Sequence, residues 1–286
     1  MTLNARPITD AVGVEVVDVD VRTLRPADFD ELRGLWRRHL VLVFRDQNLT
    51  PDHQAAFCEG LGQLYILPTN SDKRDGVSGN MFFISNQVVD GKPGALPDGE
   101  MWFHYDLIYS ALPPAAGVLF GIEIPPEGGN TRFANSMAVY EGLSDEVKDR
   151  LDGLTAEHVY DYRSTTSKTS VADAAADSYR HPAVVRHPAT GKPVLYVSRL
   201  MTMRLLELEQ KESDELLQHL FDEIERPEYR YEHVWRPGDL VVWDNNGCLH
   251  ARTDFDPEYH RTLRRMSLAN TAAPVAYRRH AVTTGS

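Results

Sequence analysis

The chain is poor in cysteine, lacks long apolar runs, and carries fewer basic than acidic residues. Its two cysteines, Cys58 and Cys248, allow neither a disulfide framework nor a zinc cluster, and they fit a reducing compartment. No uninterrupted apolar stretch approaches the length of a membrane span. Acidic residues number 42 against 30 lysines and arginines, a formal charge of −12, which argues against a broad phosphate-binding surface. We therefore expect no nucleic-acid partner, no membrane, and a small-molecule substrate.

The rest of the composition is that of an ordinary globular protein, with 42% hydrophobic and 25% charged residues. No linker divides the 286 residues, so we predict one domain over 1–286. Residues 1–7 lack the apolar segment of a secretory signal, and cytoplasmic residence is the expectation. We interpret Cys58 as a small buried apolar residue. Cys248 lies near a candidate site, although packing is its favoured role.

Apolar periodicity predicts a chain that mixes strands and helices. Strands are expected at 12–17, 40–44 and 240–243, and helices after Pro26, after a Thr50 cap with Pro51 in the first turn, over 144–151, and through 216–224. The polar segment 164–176 is too rich in small side chains to form core. Two interpretations stay open for it, a lid over an active site and a plain surface loop.

The most informative motif is His104-Tyr105-Asp106, which is followed far downstream by His250. In an extended strand, alternate side chains share a face, so His104 and Asp106 can reach one ion while Tyr105 points away. Two imidazoles and one carboxylate form the facial triad of non-haem Fe(II) oxygenases, which leaves three metal positions open. A His-x-Asp pair alone is more often a structural feature than a ligand set.

Further segments accompany this motif along almost the whole chain. They are LVFRDQ at 42–47, GGNT at 128–131, AVY at 138–140, HPATG at 187–191, and WRPGDLVVWDN at 235–245 directly before the distal histidine, with two arginines, Arg261 and Arg265, beyond it. In this constellation the chain resembles the taurine dioxygenase and aryloxyacetate dioxygenase family of Fe(II)/2-oxoglutarate-dependent enzymes.

The resemblance implies a β-dominated, mixed α and β fold, a distorted double-stranded β-helix or jelly roll with peripheral helices. It implies Fe(II) held by His104, Asp106 and His250, and it implies 2-oxoglutarate and dioxygen as co-substrates. The expected reaction oxidises a C–H bond of a small, anionic organic substrate and releases succinate and CO2. Hydroxylation is the expected outcome for the substrate. A homo-oligomer, dimer or tetramer, is compatible with it.

Three polar residues receive binding roles from the resemblance. Arg261 would anchor the far carboxylate of 2-oxoglutarate through a bidentate guanidinium, and the hydroxyl of Thr131 would add a donor to it. Arg265 would face an anionic group of the primary substrate. The alternatives are a surface ion pair for Arg261, given the acidic residues at 254, 256 and 258, and a turn hydroxyl for Thr131. We expect Arg264 to face solvent.

The positions that match the substrate contacts of taurine dioxygenase carry different residues here. Leu67 and Asn70 replace its histidine and tyrosine, and Glu100 replaces an asparagine, so taurine is not the expected substrate. Glu100 would either pair with a cationic group of another substrate or be a solvated loop carboxylate. Leu107 is a further candidate for shaping the pocket, with core packing as its alternative.

Several functions remain compatible with these residues. Desaturation, epoxidation or cyclisation would use the same cofactors in a biosynthetic pathway. Halogenation is disfavoured, because Asp106 occupies the position that halogenating relatives leave for chloride. Zn(II)-dependent hydrolysis would use the same triad but would have no need of the dicarboxylate anchor. A non-catalytic metal-binding sensor of β fold is the alternative outside enzymology.

Overall fold

The computed structural model describes residues 3–66, 77–78, 80–89, 91–97, 99–160, 166 and 177–280. Two predicted substrate residues, Leu67 and Asn70, lie outside this set, as does the proposed lid 164–176 apart from Thr166. In the described part of the chain, no helix is long and apolar enough to cross a membrane.

The α-helices begin where the sequence supplies caps. Thr50 Oγ1 accepts from the backbone N–H of His53 and Ser144 Oγ from that of Val147, so each satisfies an N–H that has no partner inside the helix. The helices are α1 (Pro26–His39), α2 (Pro51–Leu61), α3 (Ser136–Gly142), α4 (Asp145–Leu151) and α5 (Gln210–Ile224), with short 3-10 helices at Val21–Thr23 and Pro227–Tyr229. Four of these helices confirm the predictions, whereas α3 was not predicted.

Strands make up most of the remaining regular structure. They are β1 (Asn4–Pro7), β2 (Val14–Val17), β3 (Val41–Phe44), β4 (Val77–Ser78), β5 (Met81–Ser85), β6 (Val88–Val89), β7 (Lys92–Pro93), β8 (Met101–His104), β9 (Ala116–Glu123), β10 (Thr131–Asn135), β11 (Thr155–Tyr160), β12 (Asp177–Pro182), β13 (Val184–Arg186), β14 (Pro193–Leu195), β15 (Thr202–Leu205), β16 (Arg230–His233), β17 (Leu240–Asp244), β18 (Cys248–Arg252), β19 (Thr262–Leu268) and β20 (Val275–Ala276). The strand predicted from residue 40 starts one residue later, because Leu40 ends α1 in the left-handed conformation with φ 64°.

Two sheets build the centre of the molecule. The larger has the order β1-β2-β3-β17-β9-β19-β5-β4, and the smaller has the order β16-β10-β18-β8. Neighbouring strands in them are antiparallel, apart from the parallel pair β2 and β3. Strands that are distant in sequence are thereby neighbours, so β8 and β18 bring His104 opposite His250.

The central strands of the larger sheet are buried on both faces, and the side chains of β17 point alternately to one face and to the other. Leu240 and Val242 pack in the cluster that α1 and α2 cover, whereas Val241 and Trp243 pack in the cluster between the two sheets. The second cluster also holds Phe133 and Cys248 from the smaller sheet. Both predicted packing roles for cysteine are confirmed, since Cys58 and Cys248 are buried.

Candidate functional site

Two histidines from neighbouring strands face each other beside a carboxylate. The rings of His104 and His250 have centroids 4.1 Å apart. Asp106 Oδ1 lies 3.9 Å from His104 Nε2 and 3.8 Å from His250 Nε2. Among the described residues, this is the single group of three or more histidine, cysteine or acidic side chains that could hold a metal ion, with ligand atoms within 4.8 Å of one another.

Asp106 reaches this position from a turn, and the expectation that it belongs to the strand of His104 is wrong. Strand β8 ends at His104, and residues 106–109 form a turn in which Leu107 has a φ of 52°. The main chain of Asp106 is instead hydrogen-bonded to the side chain of Asn245. The second expectation is confirmed, because Tyr105 points away into the core, where its hydroxyl is bonded to Ser136 Oγ at 2.6 Å.

The protonation states of the three side chains suit a metal. His104 Nδ1 donates to the carbonyl oxygen of Trp102 at 2.8 Å, which leaves the lone pair of Nε2 available. Burial lowers the pKa of both imidazoles, that of His250 well below its ordinary value, so both rings are neutral. Burial alone would raise the pKa of Asp106, but Arg265 and the two histidines outweigh it and hold that pKa below its ordinary value. Neutral nitrogens and an ionised carboxylate are the donor forms that a divalent metal needs.

Arg261 is a buried guanidinium immediately before β19. Its Nε and Nη2 donate to the carbonyl oxygen of Gly129 at 3.0 and 2.8 Å, and the guanidinium lies 5.7 Å from the centre of the Phe255 ring. Burial, with the charge of nearby Arg252, lowers the pKa of Arg261 well below its ordinary value. The alternative of a surface ion pair is wrong, because Arg261 is 3% exposed and has no acidic partner among the described residues.

Gly129, two residues before Thr131, leaves room for the side chain of Arg261. Gly129 has a φ of 63°, and a Cβ there would lie 2.8 Å from Arg261 Nε. A glycine is therefore needed both for the left-handed backbone and for the close approach of the guanidinium.

Thr131 is buried at the start of β10, opposite Arg252 of β18. Its Oγ1 accepts from the indole Nε1 of Trp235 at 2.9 Å. Because that bond uses the oxygen as an acceptor, the hydroxyl hydrogen is free to be donated to another group.

Arg265 extends from the larger sheet to the carboxylate of Asp106. Its Nη2 forms an ion pair with Asp106 Oδ2, so the two oxygens of Asp106 have different partners. The guanidinium lies 4.9 Å from the centre of the Trp243 ring and 5.8 Å from that of Phe82. Its Nε is buried and has no hydrogen-bond partner in the described part of the chain.

The structure also describes Glu100, Leu107 and Arg264, for which the sequence analysis made predictions. Glu100 is exposed directly before β8. Leu107 follows Asp106 and packs against a core cluster that includes Phe103 and Leu249 of the smaller sheet. This agrees with core packing, the alternative to a role in shaping the pocket. The expectation that Arg264 faces solvent is wrong, because Arg264 is 4% exposed and donates to Gln54 Oε1 and to the carbonyl oxygen of Leu49, each at 2.7 Å.

Comparison with known proteins identifies the family. The model of the taurine catabolism dioxygenase TauD, TfdA family matches residues 4–267. The chain belongs to this family.

Three relatives illustrate the similarity of this TauD/TfdA chain to known proteins. Pentalenolactone F synthase of Streptomyces arenae is 32% identical over 259 residues, which cover 84% of this chain and 86% of that protein. The (S)-phenoxypropionate/alpha-ketoglutarate-dioxygenase of Sphingobium herbicidovorans is 31% identical over 287 residues, 93% and 95% of the two chains. The crystal structure of AAD-2 in complex with Mn(II) and N-oxalylglycine is 29% identical with a TM-score of 0.83, and the match covers 96% of this chain and 100% of that one.

Family membership confirms the predicted enzyme class. The TauD/TfdA proteins are 2-oxoglutarate-dependent dioxygenases of jelly-roll fold, oxidoreductases that use Fe(II), 2-oxoglutarate and dioxygen. The predicted family, fold class and cofactors are thus confirmed.

Three residues that support the site of this TauD/TfdA protein were missed in the sequence. Asn245 bonds the backbone of Asp106, Trp235 bonds Thr131, and the Trp243 ring lies 4.6 Å from that of His250. All three belong to the segment 235–245, which was recognised but not given site roles. Its position directly before the distal histidine was the signal that could have found them.

Proposed function

We propose that this protein is an Fe(II)- and 2-oxoglutarate-dependent dioxygenase that hydroxylates a C–H bond of a small anionic substrate, with release of succinate and CO2. The observation that supports it most strongly is the group of two imidazole nitrogens and one carboxylate oxygen within 4.8 Å of one another. In this proposal His104, Asp106 and His250 hold the iron on one face.

The iron would supply the open coordination positions at which 2-oxoglutarate and dioxygen react. The protein's part is to keep both imidazoles neutral and Asp106 ionised. The carbonyl oxygen of Trp102 orients the ring of His104, and Arg265 stabilises the carboxylate of Asp106.

Arg261 and Thr131 would bind the far carboxylate of 2-oxoglutarate. A buried guanidinium whose two described hydrogen bonds both go to one carbonyl oxygen, that of Gly129, retains a strong need for an anion. The hydroxyl of Thr131 is held by Trp235 with its hydrogen still available. A zinc hydrolase would have no use for such an anchor, which favours the oxygenase.

Arg265 would bind the anionic group of the primary substrate through the part of its guanidinium that Asp106 does not occupy. Its unpartnered, buried Nε supports this role. The aromatic rings of Trp243 and Phe82 beside it favour a substrate whose anionic group is attached to an apolar body. Glu100, exposed before β8, and Leu107 stay candidates for contacts at the other end, and Leu67 and Asn70 rest on the family resemblance alone.

The test is anaerobic addition of Fe(II) and 2-oxoglutarate, which should produce the weak visible charge-transfer band of the chelate. A screen of small organic acids then follows succinate in the presence of dioxygen. His250→Ala and Asp106→Ala should abolish the band and turnover. Arg132→Ala should change neither, because Arg132 is a half-buried arginine that pairs with Glu232.

Two results would overturn the proposal. A wild-type protein that binds no Fe(II) would exclude the metal site. Binding of Fe(II) without succinate formation on any substrate, and with no slow decarboxylation of 2-oxoglutarate, would favour the sensor instead.

A further inference from the structure

The side-chain amide of Asn245 forms two hydrogen bonds with the backbone of Asp106, a proposed metal ligand. Its Oδ1 accepts from the backbone N–H of Asp106 at 2.9 Å, and its Nδ2 donates to the carbonyl oxygen of Asp106 at 3.1 Å. The two residues are 139 positions apart in sequence. The amide thus presents to Asp106 the donor and acceptor that a neighbouring strand would otherwise present.

Asp106 needs such a partner because it lies beyond the end of β8. The last residue of the strand, His104, still pairs with His250, but Asp106 is in the turn that follows. The backbone of His104 is held by its strand partner, whereas the backbone of Asp106 is held by the side-chain amide of Asn245.

Asn245 is itself held rigidly. It is 1% exposed, its backbone N–H donates to the carbonyl oxygen of Ala115 at 2.9 Å, and its Nδ2 also donates to that of Pro114 at 2.9 Å. It directly follows β17, a strand in the middle of the larger sheet. Asn245, at the end of β17 in the larger sheet, thus fixes Asp106, which follows β8, the edge strand of the smaller sheet.

We propose that Asn245 is a positioning residue for the metal site, which sets the place of the Asp106 carboxylate between the two histidines. This inference rests on the proposed function, since it requires that His104, Asp106 and His250 bind the metal. Without the amide, the turn at Asp106 gains freedom, and the ion pair with Arg265 can draw the carboxylate away from the imidazoles. Residues that orient metal ligands typically change metal affinity by about 10- to 100-fold when replaced.

The experiment is an anaerobic titration of the metal-free full-length protein with Co(II), whose visible spectrum reports both occupancy and ligand geometry. Asn245→Ala should bind Co(II) at least about 10-fold more weakly than wild type, with an altered spectrum. Asn246→Ala is the matched control, because this neighbouring amide bonds Ala115 and Asn270 but makes no described contact with Asp106. It should bind Co(II) as wild type does.

A double-mutant cycle separates positioning from a general effect on the fold. In an Asp106→Ala background, where the carboxylate is absent, Asn245→Ala should cause no further loss of affinity. An equal loss in both backgrounds would overturn the proposal, as would wild-type affinity in a folded Asn245→Ala protein. Failure of wild type to bind Co(II) would instead count against the proposed function.

Two further measurements cover the case in which Asn245→Ala does not fold. Asn245→Asp keeps the shape and the acceptor but sets an oxygen, in place of the donor, against the carbonyl oxygens of Asp106 and Pro114, and it should also weaken Co(II) binding. Hydrogen exchange of wild type needs no variant: the amide of Asp106 should be protected although it lies in a turn. Exchange there as fast as in an open loop would overturn the proposal.

Discussion

Replacement of Gly129 by alanine should weaken 2-oxoglutarate binding without affecting the metal. Gly129 has a φ of 63°, and its carbonyl oxygen accepts both hydrogen bonds from Arg261. An added Cβ would lie 2.8 Å from Arg261 Nε and 2.9 Å from its Cδ. The guanidinium proposed to anchor the co-substrate would therefore have to move.

The magnitude has two parts. The left-handed backbone costs an alanine about 1–2 kcal/mol of stability relative to glycine. To reach an ordinary van der Waals distance, the Arg261 side chain must retreat by roughly 0.7 Å. Loss of good geometry in a hydrogen bond to a charged group costs about 1.5–3 kcal/mol, which corresponds to about 10- to 100-fold in the dissociation constant of 2-oxoglutarate.

The assay is anaerobic titration of the Fe(II)-loaded protein with 2-oxoglutarate, followed through the charge-transfer band. Gly191→Ala is the control, because Gly191 has a φ of 72° but a Cβ there would meet nothing within 4 Å. Both variants should lose stability in thermal unfolding because of the left-handed backbone, and only Gly129→Ala should lose affinity for 2-oxoglutarate. Wild-type affinity in Gly129→Ala would refute the placement of Arg261 at the co-substrate.

Three other perturbations test different parts of the site and the core. Arg265→Ala should weaken Co(II) binding as well as substrate-dependent turnover, because the guanidinium contacts Asp106, and Arg265→Lys should restore part of the metal affinity. Trp235→Phe should raise the dissociation constant of 2-oxoglutarate about 5-fold, the effect of one hydrogen bond worth about 1 kcal/mol, since Thr131 loses its donor. Burial holds the pKa of His158 well below its ordinary value. The unfolded chain therefore binds the proton first, and stability present above about pH 6.5 is lost as the pH falls. This loss of stability, measured by urea unfolding between pH 7 and 5, should be smaller in His158→Asn.

Each of these expectations has an outcome that contradicts it. Unchanged Co(II) affinity in Arg265→Ala would mean that the ion pair does not stabilise the ligand. Trp36→Phe is the control for the indole, since Trp36 Nε1 has no described hydrogen-bond partner, and an equal effect on 2-oxoglutarate would remove Trp235 from the anchor. An unchanged pH dependence in His158→Asn would show that other groups cause the loss of stability in acid.

The group of side chains that could hold a metal was predictable because its chemistry is local and recognisable. His104 and Asp106 are two residues apart, and His250 follows the segment 235–245, so residue types and order were enough to propose a triad. The helix caps Thr50 and Ser144 were predictable for the same reason, since each satisfies an N–H three residues away.

Tertiary structure decided how those ligands are held and which charges are buried. Asp106 depends on an amide 139 residues away, and Arg264 is buried because Gln54, 210 residues away, offers it an acceptor. Burial of an arginine depends on the partners that the fold brings to it, and no local pattern around 264 reports them. Sequence by itself determined which donor atoms are available to the proposed metal. Only the packing of the two sheets decided that Asn245, which follows β17, and Arg265 of β19 both contact Asp106, the first at its backbone and the second at its carboxylate.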